Sequence, residues 1–103
     1  MLTNSSKTAV PAAIVRLYPS LPNPFSDSTC VTFEISGERA PWRMDFLGED
    51  GRPVRAFEGN DSGQVSIIWH GDDERREPLP SGTYWCHLSC SGARRKRRLI
   101  LIR

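Results

Sequence analysis

Two histidines, three cysteines and a cluster of acidic side chains are the groups in this 103-residue chain that could carry chemistry. Serine and aspartate accompany the histidines, so an acyl-transfer triad is conceivable. His70 stands at an expected strand end, and His87 alternates to an outer face beside Trp85. Neither lies near a Gly-Xaa-Ser-Xaa-Gly elbow, and a small β-domain offers no obvious oxyanion hole. A cysteine–histidine pair fares no better, because Cys86 points inward where its neighbour His87 points outward. The chain is therefore expected not to be an enzyme. Cys86 and Cys90 lie four apart on an expected strand. That places them ~13 Å from each other, too far for a disulfide and wrong for a shared zinc. Pairing of Cys30 with either stays open, and three free thiols acting as small apolar residues is the favoured reading. Asp72, Asp73, Glu74 and Glu77 could offer oxygens to calcium, which takes about six to eight. Arg75 and Arg76 interleave with them, which favours a solvated loop with local ion pairs. No metal and no cofactor is expected.

Charge is the second chemical signal. Arg94-Arg95-Lys96-Arg97-Arg98 supplies five of the 14 basic residues. The other nine face 12 acidic groups, so the remainder sums to about −3. Five cations could neutralise several phosphates. A strand sends alternate residues to opposite faces, so at most three share one side. No aromatic platform accompanies them in sequence, although Trp85 and His87 on the preceding strand could face them. Discouraging edge-to-edge pairing is the simpler role, and nucleic acid is disfavoured as a partner. The next four residues, Leu99-Ile100-Leu101-Ile102, break the alternation of a half-wet strand. Either both faces are covered, or Ile100 and Ile102 are presented to another protein. A terminal strand is also accessible to a partner's strand. Arg98, Leu99, Ile100, Leu101, Ile102 and Arg103 are accordingly the candidate partner-binding residues, and the expected partner is a protein.

These groups need strands to position them. Hydrophobic content of 38 %, with 8 Gly and 8 Pro, fits a small many-turned β-domain better than a helical bundle. Residues 1–12 read as a disordered linker or cloning remnant, and residues 13–103 as one domain. The longest apolar runs are about four residues, against roughly 20 for a bilayer span. No signal peptide is seen, so an exported domain would take its signal from a longer parent chain. Seven strands are expected. They cover residues 14–18, 29–36, 42–47, 52–57, 65–69, 82–88 and 94–103. Val31, Phe33, Ile35, Trp42, Met44 and Phe46 alternate inward, as do Val65, Ile67, Trp69, Tyr84, Cys86 and Leu88. Val54 and Phe57 are three apart, so burying both requires a bulge. Gly48-Glu49-Asp50-Gly51 and residues 59–63 read as turns, and residues 70–81 as a polar loop. The expected class is all-β, an immunoglobulin-like antiparallel β-sandwich.

The landmarks, taken in order, resemble the FlgD-like immunoglobulin domains and the type IX secretion C-terminal sorting domains. The family opening Tyr-Pro-Asn-Pro-Phe is similar to Tyr18-Pro19 followed by Pro22-Asn23-Pro24-Phe25-Ser26-Asp27-Ser28-Thr29. Ser20 and Leu21 split that block. Gly48-Glu49-Asp50-Gly51-Arg52-Pro53-Val54 resembles the mid-domain turn. Trp69-His70-Gly71 resembles a Trp-Asp-Gly step, with His70 in place of the acid. Ser81-Gly82-Thr83-Tyr84 resembles Ser-Gly-Val-Tyr, and residues 98–103 resemble the final basic-apolar strand. On this resemblance Tyr18, Pro22, Asn23, Pro24, Phe25, Gly51, Trp69, Gly82 and Tyr84 are structural motif residues. The resemblance implies a non-catalytic sorting or anchoring module of a larger secreted or surface-bound bacterial protein. Export machinery, or an upstream domain of the parent chain, would recognise its last strand. A flagellar hook-capping-like spacer or assembly module is the alternative, and polyanion binding a weaker one.

Overall fold

The computed structural model describes residues 14–103, and the expected linker at 1–12 lies outside them. Five strands follow in chain order: β1 (Val15–Leu17), β2 (Thr29–Leu47), β3 (Pro53–Trp69), β4 (Gly82–Cys90) and β5 (Ala93–Leu101). Every pairing between these strands is antiparallel, and all belong to one sheet. β3 runs along one edge of β2. The opposite edge is shared, with β1 beside residues 33–35 and β4 beside residues 42–47, and β5 lies outside β4. The sheet curls into a half-barrel whose concave face holds the core.

The expected seven-strand sandwich is thereby corrected to five strands in one curled sheet. Residues 29–36 and 42–47 are two halves of a single 19-residue strand, and residues 53–57 and 65–69 two halves of a 17-residue strand. The physical reason lies at the bend. Ile35 pairs with Gly63 and Ala40 with Asp61, so the four residues 36–39 of β2 oppose the single residue Ser62 of β3. The bulge flips inward parity from Val31, Phe33 and Ile35 to Ala40, Trp42, Met44 and Phe46, all buried. Gly37 and Gly63 both take positive φ there, and Ser62 Oγ donates to the Gly37 carbonyl. The Gly-Asn-Asp-Ser-Gly cluster at 59–63 is therefore strand, not turn. Its small residues admit the Trp42 indole. A Cβ on Gly59 would stand 2.6 Å from that ring, and Asp61 accepts the Trp42 Nε1–H at 2.7 Å. The bulge expected between Val54 and Phe57 is present, because Phe46 pairs with Arg55 while Leu47 pairs with Pro53. Both side chains pack partly buried against the core.

Trp69 is the hub of that core and is fully buried. It stacks on Phe46 at 4.3 Å between ring centroids, with Tyr84 at 5.6 Å and Phe25 at 5.8 Å around it. Its Nε1–H donates to the Asp72 carbonyl. Residues 70–80 are not a loose loop. Asp72 forms an ion pair with Arg55 at 3.0 Å, each side chain only 12 % exposed, and Arg55 lies over the Phe57 ring. Asp73 Oδ1 accepts the amides of Arg75 and Glu77, and the Glu74 carboxylate accepts that of Ala56. Of the acidic groups considered for calcium, Asp72, Asp73 and Glu74 are thus engaged by an arginine or by main-chain donors. Among the described residues, no three His, Cys, Asp or Glu side chains are grouped to hold a metal.

The three cysteines are free. Cys86 and Cys90 are buried on the inner face of β4, and Cys30 is half-buried on β2. Burial pushes the Cys86 thiol up to about 11. Thiolate, not thiol, attacks disulfide reagents. At mildly alkaline pH a chromogenic disulfide is expected to modify Cys30 rapidly. Cys86 and Cys90 should react only as fast as the domain opens. Equal rates at all three would overturn this account of the core.

Candidate docking face on the last strand

β5 divides its side chains by parity. Its ladder sets Arg95 opposite Leu88, Arg97 opposite Cys86 and Leu99 opposite Tyr84 on the inward side. Leu99 and Leu101 are fully buried. Arg94, Lys96 and Arg98 fall on the other face, opposite Ser89, His87 and Trp85. Ile100 follows in the same column, half-buried, and Ile102 continues past the strand end, 54 % exposed. The four-residue apolar run is thus half core and half surface. Arg98, Ile100 and Ile102 form an outward strip of one cation and two apolar side chains.

The outer edge of β5 is flanked by β1 over its first half and hydrogen-bonded through its main chain over its second. Over its first half, Arg95 Nε donates to the Val15 carbonyl, and the Arg97 guanidinium donates to that of Leu17. Side-chain bonds here join β5 to β1 and close the curl of the sheet. Over its second half the Pro-Asn-Pro-Phe loop takes over. Asn23 Nδ2 donates to the Arg98 carbonyl at 2.9 Å, and its Oδ1 accepts the Ile100 amide at 2.9 Å. One side-chain amide thus mimics a strand residue. Phe25 continues the pattern with its main chain, donating to Ile100 O and accepting from Ile102 N. Pairing of a partner's strand along residues 98–102 would have to displace this loop. The groups of this segment left facing solvent are side chains.

The loop is held in turn. Pro22 and Pro24 follow cis peptide bonds, and neither nitrogen has a hydrogen to donate. Thr29 Oγ1 donates to the Pro22 carbonyl at 2.7 Å, and the buried Phe25 ring packs on Trp69. Tyr18 donates its hydroxyl to Glu34 on β2. Gly51 closes the β2–β3 turn with positive φ, its amide donating to Gly48 O. Gly82 opens β4 opposite Leu101, and Tyr84 anchors its hydroxyl on the Pro80 carbonyl. Arg103 is tied to the fold. Its guanidinium donates to carbonyls of Leu79, Ser26, His70 and Gly71, and its amide to Ser81 Oγ. Leu99, Leu101 and Arg103 therefore have internal duties, and Arg98, Ile100 and Ile102 are the candidate residues left facing outward.

The histidines are not brought together. His70 follows the end of β3, and His87 lies on the outer face of β4 between Lys96 and Asp45 in the ladder. Cys86 and His87 face opposite sides of β4. Three working residues have no clear sequence signature: Arg103 as a carbonyl clamp, Arg55 as the partner of Asp72, and Arg97 as a bridge to β1. Only Asn23 carries a hint, since a polar amide fixed between two prolines is pre-set to serve one geometry.

No known family model and no curated protein matches the chain. Solved structures do. A domain of dimeric latent PorU from Porphyromonas gingivalis superposes with a TM-score of 0.72 at 14 % identity, over 90 % of this chain and 10 % of that one. PorZ, an essential bacterial surface component of the type IX secretion system of the same organism, gives 0.57 at 18 % identity, over 99 % of this chain and 13 % of that one. The chain thus spans about a tenth of each neighbour, and the likeness is one of fold.

Proposed function

We propose that this chain is a non-catalytic docking module that serves type IX secretion as the sorting or anchoring domain of a larger exported bacterial protein. The outward strip Arg98, Ile100 and Ile102 carries the reading. The core is already supplied by Leu99 and Leu101, so a half-buried and an exposed isoleucine on the outer face beside an arginine are not needed to fill it. The fold neighbours support the setting. In both, this architecture is a small part of a much longer protein, and PorZ is a surface component of that secretion system. Side-chain docking follows from the occupied edge: apolar contact supplies affinity and the arginine supplies orientation.

The test fuses the chain to a signal-bearing reporter in a host with type IX machinery. The double variant Ile100→Asp/Ile102→Asp is expected to lower export at least tenfold, about 1.4 kcal/mol of recognition, while the isolated domain still unfolds cooperatively with a melting temperature lowered by the charge at half-buried Ile100. Export at the parental level by a folded double variant would refute the docking role.

A second reading, an assembly or spacer module, rests on β3. That strand is 17 residues long and pairs only with β2. Its outer edge could add a neighbouring strand. Light scattering separates the two: a stoichiometric oligomer of the isolated chain favours assembly, and a monomer favours docking.

A further inference from the structure

The five clustered cations do not act as one patch. Arg95 and Arg97 spend their guanidinium groups on β1 carbonyls, on the inward side of β5. Arg94, Lys96 and Arg98 stand in a single outward column. Alternate residues of a strand are about 6.6 Å apart, so the column presents evenly spaced charges along about 13 Å. Among the described residues none of the three has a carboxylate partner; the ion pairs belong to Arg43, Arg52 and Arg55. The column borders a surface groove of about 380 Å³ lined by Asp45, His87, Leu88, Ser89, Arg94, Arg95 and Lys96. The one acid in that groove, Asp45, is already held by Arg43. Regularly spaced cations without carboxylate partners, beside a groove, fit a ligand that repeats negative charge in one dimension.

The same face distinguishes among polyanions. Single-stranded nucleic acid is bound by stacking bases on open aromatic rings. Two rings stand beside the column, Trp85 and the small imidazole of His87, and Lys96 Nζ sits over the Trp85 face, 5.5 Å from the centroid. The indole, the one large stacking surface there, is thus already covered by a cation. An anionic bilayer would meet the whole flank of the molecule, whose charge apart from residues 94–98 sums to about −3. A flexible linear chain can follow the column alone. We propose that the outer face of β4 and β5 binds a linear acidic polysaccharide, with Arg94, Lys96 and Arg98 each taking a sulfate, phosphate or carboxylate group. The site stands apart from the docking reading and shares only Arg98 with it.

The test uses the full chain and heparin as the probe, by titration calorimetry at about 0.15 M salt and across a salt series. Saturable binding is expected, with a log–log salt dependence of about three ions. Arg94→Gln/Lys96→Gln is expected to weaken it at least tenfold and to lower that slope to about one. Arg52→Gln/Arg75→Gln, which removes the same charge elsewhere, should leave binding within twofold. Ile100→Asp/Ile102→Asp reports separately on export. Three results would each overturn the proposal. They are no heparin binding at that salt, equal loss from both arginine-containing double variants, or tighter binding to oligothymidylate or to phosphatidylglycerol vesicles than to heparin.

Discussion

Removal of residues 99–103 is expected to abolish cooperative unfolding, not merely export. The segment carries two fully buried leucines, the β5 rungs opposite Gly82, Thr83 and Tyr84, and the main-chain partners of Phe25. It also carries the Arg103 clamp on four loop carbonyls. Emptying one buried leucine site typically costs about 3–5 kcal/mol. Two such losses, with an orphaned loop, match or exceed the roughly 5–15 kcal/mol that holds a small domain together. Far-ultraviolet dichroism of the truncated chain should show no sigmoidal urea transition. Ile102→Asp, exposed and outside the ladder, should change stability by less than about 1 kcal/mol. A truncated chain that still melts cooperatively would show that the Pro22–Phe25 region and β4 close the core without the last strand. The contrast also matters for reading export experiments. Loss of sorting after truncation reports unfolding, whereas loss after a surface substitution reports recognition.

Trp69→Ala should be the most damaging single truncation in the described residues. The indole is fully buried and contacts aromatic rings contributed by β2, β4 and the 22–25 loop. Its removal is expected to cost about 3–5 kcal/mol, raised by leaving the Asp72 carbonyl without its donor. Trp69→Phe keeps most of the volume and loses only the hydrogen bond and part of the stack, about 1–2 kcal/mol. Urea titration measures both. The midpoint should fall while the slope stays unchanged, since the surface exposed on unfolding is nearly the same. A Trp69→Ala loss below about 1 kcal/mol would mean that the hub is not the hub.

Much of this architecture was legible in the residue pattern. The inward positions from Val31 to Ile35, from Trp42 to Phe46, from Val65 to Trp69 and from Tyr84 to Leu88 follow from period two alone. Continuity of the long strands did not. Between Ile35 and Trp42 the parity breaks, which reads as two strands with a turn, whereas a bulge lets one strand bend. Between Phe57 and Val65 the parity holds, and there the composition misleads. Gly59 and Gly63 read as turn residues because propensity cannot see the Trp42 ring lying over Gly59. The split of the terminal run into buried Leu99 and Leu101 and outward Ile100 and Ile102 agrees with alternation once a covered inner face is known. The basic run was legible as at most three cations per face. Pairing of Arg95 and Arg97 with β1 was not, since it spans 80 residues of sequence and depends on the curl of the sheet. The candidate face was visible as a segment. Which of its members face outward is a property of the closed edge.

The Asn23 amide, hydrogen-bonded as a surrogate strand residue, has one consequence for chemical ageing. Asparagine ordinarily decays when the following backbone nitrogen attacks the side-chain carbonyl to form a succinimide. Here that nitrogen belongs to Pro24, a tertiary amide that cannot make the attack. Hydrolysis to aspartate would set a carboxylate oxygen against the Arg98 carbonyl and replace an attraction with a repulsion. The proline that shapes the loop thus also shields the amide that seals the sheet from the succinimide route.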